Sequence, residues 1–351
     1  MLHVLTGAHC NNHCLFCMES DREGRRRHVL SQSSADIQRF IEQYPGRDEI
    51  LFTSGEPTTS RDLDRYVTWA REAGYETIGL ITNGRRLSRP KYAAALIARG
   101  VNKITVSIHG HDAATHDGLT QARGSFEQTR HGLERLAALR RGGRRFDLHT
   151  CTVVVRPNIP YLAELYQLLR QLDVDRMCFN VMMVKGFGAE RITALMPRYS
   201  DVAQAFGALA AGLGARDLTR IALADVPRCA TVGLPQRILG AEERFDQYEA
   251  HGSVGIAEAD LARMGEDERR GALAQLRPRA RSTDLEADHD YYMAHRETKD
   301  GFLRTKRPAC HDCVFDPTCP GVWRGYADAF GWDELQPVAE GRSEDRSPGR
   351  V

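Results

Sequence analysis

Six short apolar runs, separated by amphipathic stretches of helical period, constrain this chain more than any other feature. The runs are Leu2 to Leu5, Glu49 to Thr53, Thr77 to Thr82, Lys103 to His109, Asp147 to Val155 and Met177 to Val184. Between them, helices are expected at Ser34 to Tyr44, Asp62 to Ala73, Pro90 to Ala98, Phe126 to Leu139 and Tyr161 to Leu172. In the first of these, Ile37, Phe40 and Ile41 fall on one face. Strands that alternate with helices demand a parallel sheet with right-handed crossovers. Six are too few to close an eight-stranded barrel, so the expected form is α/β, an open, partial (β/α)6 barrel over residues 1–185. Ligands of such sheets bind at the carboxyl ends of the strands.

The polar residues gather at those ends. Cys10, Cys14 and Cys17 follow the first strand with the spacing C-x3-C-x2-C, three thiolates on one short loop. Soft sulfur ligands suit an iron–sulfur cluster, and three of them would leave one iron of a [4Fe–4S] cube open to a small molecule. A structural zinc site is the alternative, although zinc motifs more often join two distant cysteine pairs. Ser54-Gly55-Glu56-Pro57 follows the second strand and Asn83-Gly84 the third, while Ser107 and His109 end the fourth. Asn158 lies just past the fifth, and Asn180 and Met182 fall in the sixth. Cys151 and Cys178, inside apolar runs, read as inert buried thiols.

With Phe16 directly before the third cysteine, the triplet resembles that of the radical S-adenosylmethionine (SAM) superfamily, and later segments match that family in order. Ser54-Gly55-Glu56-Pro57-Thr58 is similar to the family's GGEP segment, with Ser in place of the first Gly. Thr82-Asn83-Gly84 resembles its T-N-G strand end, and Arg123-Gly124-Ser125-Phe126 resembles the R-x-S-F that opens its fourth helix. Each motif is short; their order over residues 2–185 carries the resemblance. It implies a TIM-like partial barrel whose [4Fe–4S] cluster sits on Cys10, Cys14 and Cys17 and binds SAM through the open iron. It also implies Phe16, Ser54, Gly55, Glu56, Pro57, Asn83, Ser107, His109, Arg123, Asn158 and Met182 as the residues around SAM. The implied reaction is reductive cleavage of SAM to a 5′-deoxyadenosyl radical that abstracts hydrogen from a substrate. The electron would come from a flavodoxin-like or ferredoxin-like donor.

The carboxyl-terminal half adds Cys310, Cys313 and Cys319, spaced C-x2-C-x5-C and followed by Gly321, Trp323 and Tyr326. This resembles the auxiliary-cluster modules called SPASM and twitch domains. The last cysteine of a full SPASM run is replaced here by Trp323, so one second [4Fe–4S] cluster is implied within residues 186–338. Cys229, the remaining cysteine outside the strands, is the expected fourth ligand, and a four-cysteine zinc site is the alternative. Such a cluster implies net oxidation or crosslinking of a peptide or protein side chain. Dehydrogenation of a small metabolite such as an amino-sugar alcohol is the second reading, and a non-catalytic iron–sulfur electron-transfer or scaffold protein the third.

Composition agrees. A net charge of +1 gives no field for nucleic acid, and Arg25-Arg26-Arg27 and Arg140-Arg141 read as solvated surface. Residues 1–20 lack a basic, apolar signal segment, and no run approaches the ~20 apolar residues of a membrane span. Nine cysteines then suggest metal binding in a reducing, cytoplasmic setting. Residues 240–300, rich in Glu, Asp and Arg, read as an exposed helical insertion, and 339–351 as a disordered tail.

Overall fold

The computed structural model describes residues 2–7, 9–18, 34–44, 46–239, 246–248, 303–317 and 319–339. Six strands fall where the apolar runs predict: β1 (Leu2–Leu5), β2 (Glu49–Thr53), β3 (Thr77–Thr82), β4 (Lys103–Ser107), β5 (Asp147–Val154) and β6 (Arg176–Val181). Two more, β7 (Ile221–Ala224) and β8 (Asp246–Tyr248), extend the sheet at its edges. The order is β7-β6-β5-β4-β3-β2-β1-β8, every pairing is parallel, and β7 and β8 do not pair. The barrel is therefore open, with eight strands where six were expected. Ile221-Ala222-Leu223-Ala224 is too short a run to separate from a buried helix end by pattern alone.

Helices cover the outer face: α1 (Ser34–Gln43), α2 (Leu63–Glu72), α3 (Pro90–Arg99), α4 (Ala113–Thr120), α5 (Ser125–Arg141) and α6 (Leu162–Gln171). Beyond β6 come α7 (Gly186–Glu190), α8 (Ile192–Leu195), α9 (Tyr199–Ala211) and α10 (Ala215–Leu218). A two-stranded antiparallel pair, β9 (Arg304–Thr305) and β10 (Val322–Trp323), precedes α11 (Arg324–Phe330). α4 was not expected, because Ala113 to Thr120 has little apolar periodicity. Among the described residues no helix is long and apolar enough to cross a membrane. The expected insertion at 240–300, apart from β8, and the tail beyond Ala339 lie outside the described residues.

The strands have one packed face and one open face. On β6, Phe179 is buried against Phe206 of α9, the ring centres 5.4 Å apart, which marks the helix side. Burying a Phe side chain contributes about 1.5–3 kcal/mol, so this outer layer holds the helices on. Cys178 and Asn180 alternate onto the other face and stay half-buried, as do His149, Cys151 and Val153 of β5. The concave face is thus lined but not filled. Cys151 and Cys178, expected to be buried, are half-buried and lie in register with each other on the concave face. Met182, expected in the sixth strand, lies one residue beyond it and is 1% exposed.

The carboxyl-terminal region docks onto the barrel through α9. Tyr199 stacks on Tyr326 at 4.2 Å, and its backbone N–H donates to the Tyr326 hydroxyl at 3.1 Å. Glu334 accepts from Ser200 N at 2.8 Å and pairs with Arg198 at 3.2 Å. Arg304 pairs with Asp225, at the end of β7, at 3.5 Å.

Candidate active site

The Cys10–Cys17 loop is held from three sides. Below it, the last turn of α4 accepts two of its backbone N–H groups: His13 N to Thr120 O at 2.8 Å and Leu15 N to Leu119 O at 2.9 Å. Beside it, Asn83 Nδ2 donates to Asn11 Oδ1 at 2.7 Å, and Arg85 donates to Asn11 O and, at 2.9 Å, to Asn12 Oδ1. From the β6 rim, Phe187 N donates to Cys17 O at 2.9 Å. The loop is therefore fixed to the scaffold on every flank, and the three half-buried thiols of Cys10, Cys14 and Cys17 occupy one loop.

Ser54 and Gly55, at the end of β2, both have left-handed backbones, with φ +73° and +56°. A non-glycine residue pays strain there, which gives a physical reason for the glycine the family has where this chain has Ser54. Glu56 is 3% exposed and accepts four hydrogen bonds. Thr58 N (3.0 Å), Thr58 Oγ1 (2.6 Å) and Thr82 Oγ1 (2.6 Å) donate to its Oε1, and Asn83 N (2.6 Å) donates to its Oε2. Burial raises its pKa, opposed by the bonds from Thr58, Thr82 and Asn83. Glu56 thus ties the end of β2 to the end of β3, and Pro57 opens the short turn that follows.

His109 packs edge-on against Phe16, the centres 4.7 Å apart, and stacks on His116 at 5.7 Å. Its Nδ1 accepts from Val153 N at 3.2 Å, so any ring proton sits on Nε2. Burial, and then the neighbouring His116, hold its pKa well below the usual value. His116 accepts from His109 N through Nδ1 at 3.1 Å, and burial lowers its pKa to about 4. Asn158 donates to His109 O at 2.9 Å and to Val153 O at 2.8 Å, and accepts from Val155 N at 2.8 Å. It joins the ends of β4 and β5. Ser107 sits level with Cys151 on the concave face, and Met182 packs against Gly188.

Arg123 is exposed on the turn before α5. The motif is organised by Asp117, which accepts from Gly124 N at 2.6 Å, Phe126 N at 2.7 Å and Ser125 Oγ at 2.9 Å. Asp117, Arg85, His116 and Gly186 are site residues that the sequence does not mark. A surface-type Arg, a lone Asp and a turn glycine carry no signal until tertiary structure gives them partners.

The second cysteine set also converges. Cys229, Cys310, Cys313 and Cys319 line one open pocket, together with Phe315, Trp332 and Pro337. Burial first, then the nearby thiols of Cys319, Cys313 and Cys310, push the Cys229 pKa up to about 11. Backbone N–H groups of Gly321 and Val338 reach Cys319 Sγ and Cys313 Sγ, each at 3.4 Å. Among the described residues, no three His, Cys, Asp or Glu side chains close on a single-ion site. Four thiols around one pocket are the donor set of either an iron–sulfur cluster or a zinc ion.

Residues 4–169 match the model of the radical SAM superfamily. Among curated proteins it is similar to the AdoMet-dependent heme synthase of Methanosarcina barkeri, 29% identical over 167 residues, covering 47% of this chain and 45% of that protein. The matches span less than half the length of the first three such relatives. Among solved structures, Streptococcus suis SuiB bound to precursor peptide SuiA has a TM-score of 0.65 at 15% identity, covering 96% of this chain and 74% of that one. Native anSMEcpe with bound AdoMet has a TM-score of 0.58 at 16% identity, covering 96% and 93%. At these identities the two structures show the fold.

Proposed function

We propose that the chain is a radical SAM enzyme catalysing net oxidation or crosslinking, with a SAM-binding cluster on Cys10, Cys14 and Cys17 and an auxiliary cluster on Cys229, Cys310, Cys313 and Cys319. The observation that carries the second half is the gathering of those four thiols, from two distant segments, around one cavity. When bound, these groups supply a hydrogen-abstracting 5′-deoxyadenosyl radical and an electron acceptor. Four thiols leave no ligand position for substrate at the second site, which favours electron acceptance over substrate anchoring.

The chain's own residues position and insulate. The left-handed Ser54-Gly55 turn presents backbone groups at the end of β2 for the methionyl amine of SAM, and Glu56 fixes that turn against Asn83. Phe16 and neutral His109 wall the cysteine loop from the β4–β5 end. Ser107, Cys151, Cys178 and Asn180 line the concave face, where substrate would lie below the rim. Burial, with Cys178 and Asp225 nearby, pushes the Cys151 pKa far up, so its thiol stays protonated and uncharged.

A peptide or protein side chain is the substrate we propose, supported by the likeness in fold to SuiB with its bound peptide. A small molecule is the second reading, favoured by the heme synthase relatives. A flavodoxin-like or ferredoxin-like protein would supply the electron. Two variants test the roles. Cys14→Ala should abolish SAM cleavage, whereas Cys313→Ala should leave uncoupled cleavage without product. Full product from Cys313→Ala would contradict the electron-acceptor role.

A further inference from the structure

Just past β6, three consecutive residues reach from the first cysteine loop to Trp323, four residues beyond Cys319. Phe187 N donates to Cys17 O at 2.9 Å. Gly186 has no room for a side chain: a Cβ there would lie 2.8 Å from Cys17 O and closer still to Met18 O. Its backbone is left-handed as well, with φ +52°. Lys185 places its ammonium 5.0 Å from the centre of the Trp323 ring, whose centre is also 4.2 Å from the Arg304 guanidinium carbon. Trp323 is 1% exposed. Arg304 donates to Gly321 O at 3.2 Å, and Gly321 N reaches Cys319 Sγ. A continuous series of contacts therefore runs from Cys17 to Cys319.

We propose that Lys185-Gly186-Phe187 registers the two cysteine sites against each other, with Gly186 as the positioning residue. This rests on the reading that both sites hold clusters. The carbonyl of Cys17 accepts from Phe187 N and lies where a Gly186 side chain would go, so the backbone that carries the third thiol cannot shift without moving the rim. Partners behind a ligand set its orientation and tune the centre it binds. On the other flank the ammonium and guanidinium hold Trp323 by cation–π contact, which keeps β10 in place beside Cys319.

The test uses the full chain, reconstituted anaerobically, with iron content and the electron paramagnetic resonance (EPR) spectrum of the reduced protein read before and after SAM. Gly186→Ala should keep wild-type iron, shift the signal of the amino-terminal cluster and weaken SAM binding at least tenfold. Gly214→Ala is the control, at an ordinary φ of −76° with nothing within 4 Å of its Cβ position, and should match wild type. Lys185→Met leaves the Cys17 contacts intact yet should alter the same amino-terminal signal. Wild-type spectra and SAM response in both Gly186→Ala and Lys185→Met would overturn the proposal. Should Gly186→Ala lose its iron, a wild-type spectrum from Lys185→Met would overturn it alone. A wild type that binds no iron at either site is a different result, against the functional reading itself.

Discussion

At the scale of residues, the histidines beneath the cysteine loop give the protein a pH dependence. His116 is buried and its Nδ1 accepts from His109 N, so the neutral ring carries its proton on Nε2 and a second proton would have to go onto Nδ1, facing that N–H donor away from water. Its folded pKa of about 4 lies below the ordinary 6.5, so the unfolded chain binds the proton more tightly. The stability this neutral ring contributes is complete above pH 6.5 and is lost as pH falls toward 4, about 3 kcal/mol in all. His109 shifts in the same direction and adds to the loss. Thermal unfolding followed between pH 7.5 and 4 should show this decline in wild type and a flatter one in His116→Gln. Equal slopes would mean that other groups dominate. Glu56 acts in the opposite sense: its raised pKa makes the ionised form costly, so its contribution falls as pH rises above 4.5.

At the scale of elements, α4 and α5 form the platform under the cysteine loop, and Asp117 joins them. Losing its bonds to the first turn of α5 should cost about 1–2 kcal/mol, the usual worth of a cap. Asp117→Ala should therefore lower the urea midpoint, with Asp117→Asn recovering part of it. This joint also marks where sequence stops informing. β1 to β6 were legible because each is a concentrated apolar run, and α2, α3 and α6 because their apolar faces repeat at helical spacing. α4 was not, since it is pinned by Asp112 and Asp117 rather than by an apolar stripe. Cys151 and Cys178, read as buried thiols, are half-buried on the concave face, since alternation says which residues share a face, not how fully that face is covered. The cysteine spacing was legible at both sites, and Cys229, the one cysteine left outside the strands and the two motifs, was expected beside Cys310, Cys313 and Cys319, where the structure has it.

At the scale of the whole molecule, an open barrel with a docked carboxyl-terminal module places two thiol sites at one rim, linked through Lys185, Trp323 and Gly321. The central claim is that both sites hold iron. Iron and sulfide content after anaerobic reconstitution, in wild type and in a Cys10/Cys14/Cys17→Ala triple variant, tests it most directly. Two [4Fe–4S] clusters predict about eight irons and eight sulfides per chain, falling to about four of each in the variant. About four falling to none would contradict the account, leaving the carboxyl-terminal cysteines with zinc or nothing and the proposed oxidation without its electron acceptor.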